Sequence, residues 1–128
     1  MAYINFGEVK LTGSNLKGTN LYCAVLHGSN LDKCDIRKAD LGGCDLSGSS
    51  ICDSDLEYTN LIESDLSGAN FKGANLSHAD MRSCNLRRAD LSQTRLLHSD
   101  LSNAILTGAN LWGSSRDDWV IDSVKCEY

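Results

Sequence analysis

Ser67–Leu91 reads SGANF KGANL SHADM RSCNL RRADL, five blocks that each close on a large apolar residue. Followed outward in both directions, the same beat runs from Phe6 to Leu111, twenty-two times without an insertion or deletion. A helix turns by about 100° per residue, so a strict period of five would smear these side chains around every side of it. A straight strand fails too, because side chains alternate with period two and an odd repeat would send successive leucines to opposite faces. The backbone must therefore bend once per repeat.

Two positions before each large residue, a strand of three residues would point a second side chain the same way. Twenty of those twenty-two positions are Ala, Ser, Cys or Thr, the exceptions being Ile4 and Val9. Between the inward pair stands Asn or Asp in seventeen repeats, a residue type that bonds nearby backbone at turns. Lys10, Val25, Ser50, Arg95 and Ile105 are the exceptions. Gly fills the second corner position nine times, where a hard bend benefits from a missing Cβ, and proline is absent. Three-residue strands cannot hold alone, so their backbone groups must pair with the coils above and below, as in a solenoid.

Blocks such as SGANF, KGANL, SHADM and RRADL make residues 4 to 113 resemble the pentapeptide-repeat family. Spacing alone leaves open how many corners close one coil. The resemblance implies four, an all-β, right-handed quadrilateral β-helix with four pentapeptides per coil and about five and a half coils of roughly 4.8 Å rise. Residues 1–113 form the expected solenoid. Residues 114–128 are expected to be degenerate repeats or a C-terminal cap: Arg116 stands where a leucine is due, yet Trp119, Ile121, Val124 and Cys126 return to the inward phase.

The 128 residues suit one domain, and 23% charged with 41% apolar residues is ordinary for a globular protein. No run of eighteen apolar residues suggests a membrane span, and phased residues begin at Ile4, which points to the cytoplasm. Of six cysteines, Cys34, Cys44 and Cys84 occupy the small inward slot and are expected as core filler. Cys23, Cys52 and Cys126 form no CxxC pair, so neither a zinc ribbon nor a redox motif is expected.

Nothing in the sequence marks an enzyme: GxSxG, P-loop, GxGxxG and HExxH patterns are all missing, and a filled solenoid has no cleft for desolvating a reacting group. No cofactor is expected. If a coil holds twenty residues, one corner column stacks Gly18, Lys38, Tyr58, His78 and His98. The two histidines lack a third ligand in phase, so no metal is expected there either. The outward apolar residues are the other anomaly: Tyr22 and Ile62 share a column across Gly42, Leu97 lies beside the histidine corner, and Val25 and Ile105 also break the polar habit. The candidate protein-contact residues are Tyr22, Tyr58, Ile62, His78, Leu97 and His98.

The formal net charge of −5 is banded along the chain. An acidic belt, Asp40, Asp45, Asp53, Asp55, Glu57, Glu63 and Asp65, is followed by Arg82, Arg87, Arg88 and Arg95. These arginines spread over three sides and make no one-sided basic stripe, so direct nucleic-acid binding is not expected. The first expectation is a non-enzymatic protein-binding or scaffolding module presenting flat, rigid walls to another protein. The second is a duplex mimic, because the resemblance includes acidic, rod-shaped proteins that bind DNA gyrase and confer quinolone resistance. Against it stand the interrupting arginines and the absence of a projecting loop. The third is a spacer within a larger protein, since both ends start and stop abruptly; an end-to-end homodimer would cover one of them.

Overall fold

The computed structural model describes residues 4–126. Every fifth residue pairs in parallel with the residue twenty positions later, from Asn5 with Val25 to Ile105 with Lys125. Twenty residues per turn means four pentapeptides and four corners per coil, and the paired span makes six turns. The pairing passes without a break through Ser115, Val120 and Lys125, so residues 114–126 lie on the preceding coil in the same register.

Each rung is one paired residue wide, yet its backbone is almost fully used. In the repeat centred on Leu41, the Leu41 N–H donates to the Asn60 carbonyl at 2.8 Å and the Gly43 N–H to the Ile62 carbonyl at 2.8 Å, both in the next coil. The Asp45 N–H turns the other way, to the Ala24 carbonyl at 3.1 Å in the coil before. The Cys44 N–H closes the corner locally on the Leu41 carbonyl at 3.2 Å. This satisfies the donors that an isolated three-residue strand would leave open.

At the third position of every such turn the chain is left-handed. Twenty-four residues carry the positive φ, from Glu8 to Ser123, and only nine of them are glycine. The other fifteen, such as Lys33 (58°) and Ser83 (58°), hold a conformation that disfavours a Cβ by about 1–2 kcal/mol each. The inter-coil bonds and the core must outweigh that strain at each corner.

The core is a stack of large side chains, Leu26 to Leu106, sealed between coils, with Ala, Ser, Thr and Cys filling the inward corners. Phe71 is fully buried among them. The buried inward hydroxyls and thiols donate to backbone carbonyls: Ser54 to Leu31 at 2.6 Å, Thr59 to Ile36 at 2.9 Å, Cys44 to Leu21 at 2.9 Å. Among the described residues no buried side-chain N or O lacks a partner. Burial pushes the Cys44 thiol up to about 11 and the Cys84 thiol up to about 12, so both stay protonated as small core residues. In the terminal coils the inward residues have a coil on one side only: Ile4, Phe6 and Ile121 are exposed, and Trp119 and Val124 are half-buried. Arg116, in the slot of a leucine, holds its guanidinium 5.7 Å from the Trp119 ring centroid.

Two predictions follow from inward packing and left-handed corners. Leu61→Ala should destabilise by about 2–5 kcal/mol and Leu66→Asp or Phe71→Asp should unfold the middle coils, whereas Lys72→Ala should stay within about 0.5 kcal/mol. Denaturant melts would reveal a wrong inward assignment by equal responses. Ser83→Gly should raise stability by up to about 1 kcal/mol and Ser83→Val should lower it by about 1–2 kcal/mol, because only glycine relaxes the corner. A Val variant as stable as the Gly variant would contradict the corner geometry.

Candidate contact surface

The twenty-residue register brings Tyr58, His78 and His98 directly above one another at one corner. Tyr58 and His78 stack with centroids 4.6 Å apart and planes 7° apart, and His78 and His98 stack at 4.9 Å and 20°. Below them in the same column, the Asp118 carboxylate lies 3.8 Å from His98 Nδ1. All four residues occupy left-handed corner positions, which throw their side chains outward from the rod. Tyr58 remains 51% exposed although one ring face is covered by His78, so the column is a ridge with its edges in solvent. Parallel stacked imidazoles do not converge on a common point, and no group of three metal-ligating side chains occurs among the described residues.

The other apolar candidates are not part of this ridge. Leu97 adjoins it in sequence and is half-buried. Tyr22 and Ile62 belong to the corner that closes the following wall, one coil on each side of Gly42. Gly42 is buried because the Tyr22 ring leans over it: a Cβ there would come within 3.2 Å of Tyr22 Cδ2 and 3.1 Å of Asn60 Nδ2. Tyr22 is still 57% exposed, whereas Ile62 is half-buried. Trp112, 71% exposed, is the outward aromatic that periodicity did not single out, since its slot is an ordinary first corner position. Asp118 could have been found by extending the histidine column one more rung.

The acidic belt has a different character from a free charged patch. Each of the seventeen Asn or Asp residues between the inward pairs accepts the backbone N–H two residues ahead, as in Gly42 to Asp40 at 3.1 Å and Ser67 to Asp65 at 3.0 Å. Asp40, Asp55 and Asp65 each accept a second bond from an asparagine one coil later: Asn60 at 2.8 Å, Asn75 at 3.0 Å and Asn85 at 3.1 Å. These carboxylates are turn caps first. Asp45 caps its own turn and also accepts Ser47 Oγ at 2.6 Å. Asp53 and Glu63 are exposed at left-handed corners, and Glu57 is half-buried at the first corner position. The belt is therefore spread over three of the four walls and the corners beside them.

One exception to the capping pattern is repaired from the neighbouring coil. Ser50 is too short to cap its turn, and Asp32 reaches across to accept both Ser50 Oγ at 2.7 Å and the Cys52 N–H at 2.8 Å. Where aspartate stacks on aspartate, an arginine can straddle the pair. Arg37 contacts Asp35 at 2.6 Å and Asp55 at 3.6 Å, and Arg82 contacts Asp80 at 2.7 Å and Asp100 at 3.9 Å. The hydrogen bonds from Arg37 hold the Asp35 carboxyl down to about 2.

The model described as "Pentapeptide repeats (8 copies)" matches residues 10–48, 53–88 and 84–115. The chain belongs to the pentapeptide repeat family. Pentapeptide repeat structures share its fold, the right-handed quadrilateral β-helix. One from the Arabidopsis thaliana thylakoid lumen is 24% identical over 77% of this chain, with a TM-score of 0.64. This chain covers 66% of that protein's length. Rfr23 from the cyanobacterium Cyanothece 51142 is 22% identical, with 96% of this chain and 91% of that one covered and a TM-score of 0.66. QnrB1, a plasmid-mediated fluoroquinolone resistance protein, is 16% identical, with coverages of 96% and 79% and a TM-score of 0.56. No curated protein matches the chain.

The Arg37 clamp predicts a pH signature. Asp35 titrates below its unfolded value, so its contribution is complete above about pH 4 and drains as pH falls toward 2. In Arg37→Met this contribution is gone and Asp35 faces Asp55 unopposed. Melting temperatures of the two proteins should differ most near neutrality and converge on acidification; a gap independent of pH would refute the clamp.

Proposed function

We propose that this pentapeptide repeat protein is a non-enzymatic binding module that docks another protein against its side walls, with the Tyr58–His78–His98 ridge as the anchor. The observation that carries this reading is the stack itself. Three rings already ordered against one another lose little further side-chain freedom on docking, and their polar edges offer hydrogen bonds beside the half-buried Leu97. The rigid coils beneath fix the spacing of these groups at about one rung. Cytoplasmic action belongs to the same proposal.

The test is affinity capture from the source cell with the wild-type protein and a Tyr58→Ser, His78→Ser, His98→Ser triple variant, with Lys17→Ala as the control. The partner recovered by wild type and by the control should be lost with the triple variant while the melting temperature changes little. Recovery unchanged in the triple variant would dismiss the ridge. The duplex-mimic alternative draws on the rod shape, the net charge of −5 and the fold likeness to QnrB1. The use of Asp40, Asp45, Asp55 and Asp65 as turn caps weakens it, and a gyrase supercoiling assay without inhibition or protection would remove it.

A further inference from the structure

Arg37, Arg82 and Arg87 occupy the same slot of the repeat, the first corner position, on three different walls. In that slot a guanidinium reaches the between-strand residue of its own coil and that of the next. For Arg37 and Arg82 both are aspartates, and the charge is neutralised within the wall. For Arg87 they are Asn85 and Ile105. Among the described residues its guanidinium makes one hydrogen bond, Nη1 to the neutral Asn85 Oδ1 at 3.5 Å. The carboxylate one coil earlier, Asp65, is already engaged by Asn85 Nδ2 at 3.1 Å and the Ser67 N–H at 3.0 Å.

A second uncompensated arginine stands beside it. Arg88 is at the left-handed corner, with Gly68 and Gly108 on the rungs before and after. Its stem lies over Gly108, where a Cβ would sit 3.5 Å from Arg88 Cγ, whereas a Cβ on Gly68 would meet nothing within 4 Å. Neither Arg87 nor Arg88 takes part in an ion pair among the described residues. The space left over Gly68 is a recess of about 540 Å³ lined by Ser67, Gly68, Asn85, Arg87, Arg88 and Thr107. No carboxylate lines it.

We propose that this recess binds a small phosphomonoester, with Arg87 and Arg88 on the phosphate and Ser67 Oγ beside them. Both arginines line the recess, and a dianion there accepts the forked donors of each. Ser67 Oγ offers one more donor; the serine one coil earlier in its column, Ser47, spends its hydroxyl on Asp45. The volume falls in the range of small-ligand sites and exceeds what a bare phosphate fills, which favours a phosphate carrying a compact polar body such as a sugar. This site lies on a different corner from the Tyr58 ridge and stands or falls independently of the docking proposal.

Isothermal titration at low salt tests it, with glucose 6-phosphate as probe and inorganic phosphate, glucose and a short DNA duplex as comparisons. Glucose 6-phosphate should saturate one site per chain and bind more tightly than inorganic phosphate, and glucose should not bind. Arg87→Gln should weaken glucose 6-phosphate at least about tenfold, the loss of one charge-assisted contact. Ile105→Asp should weaken it similarly by giving Arg87 the internal partner that Arg37 and Arg82 possess, and its melting temperature should not fall, because aspartate suits that slot. Arg116→Gln, on the last coil, should leave binding unchanged. The proposal is overturned by absence of saturable binding, by binding that survives both Arg87→Gln and Ile105→Asp, or by a preference for the duplex over the sugar phosphate.

Discussion

The bond from one coil to the next governs everything else in this protein. A backbone N–H such as that of Leu41 finds its acceptor nineteen residues later, at Asn60, and that of Gly43 finds its own the same nineteen residues on, at Ile62. Because each strand is a single rung wide, no local ladder could replace these partners. A single inserted residue would shift all later repeats by one position, sending leucines outward and leaving the neighbouring coil's donors without acceptors. Twenty-two uninterrupted repeats are what that penalty enforces.

The same constraint sets the chemistry of the corners. A chain that must turn after each strand and arrive in register for the next closes a left-handed turn, and the aspartate or asparagine before the centre supplies the acceptor for that turn's exposed amide. Fifteen corners accept a side chain in a left-handed conformation. The stacking of Tyr58 on His78 and of His78 on His98 puts such a corner to use, since columns repeat at the inter-coil spacing and bring flat rings to contact distance.

Charge follows the wall in a similar way. Aspartates needed as turn caps come to lie over one another, and arginines two residues after them answer the repulsion on two walls. The acidic belt thus owes much of its composition to capping, while Arg87 and Arg88, which lack such partners, meet at a recess that no carboxylate lines.

Much of this was legible in the residues alone. The five-residue beat dictates a bend per repeat, and the small residue two places earlier identifies the inward pair, so the buried stack from Leu26 to Leu106 was expected position by position. The columns at twenty-residue spacing placed His78 beneath Tyr58 once four corners were assumed, and the resemblance supplied that number. Periodicity could not say that residues 114–126 keep the register despite Arg116, since that depends on backbone pairing to Arg95, Asp100 and Ile105 rather than on a leucine. Nor could it say that Asp32 caps the turn of a different coil, or that Tyr22 leans over Gly42. Sequence by itself determined which side chains face inward, because a strict period leaves them one geometric solution; only the tertiary structure decided which outward groups satisfy one another, because those partners meet across coils, where side-chain reach rather than spacing chooses the contact.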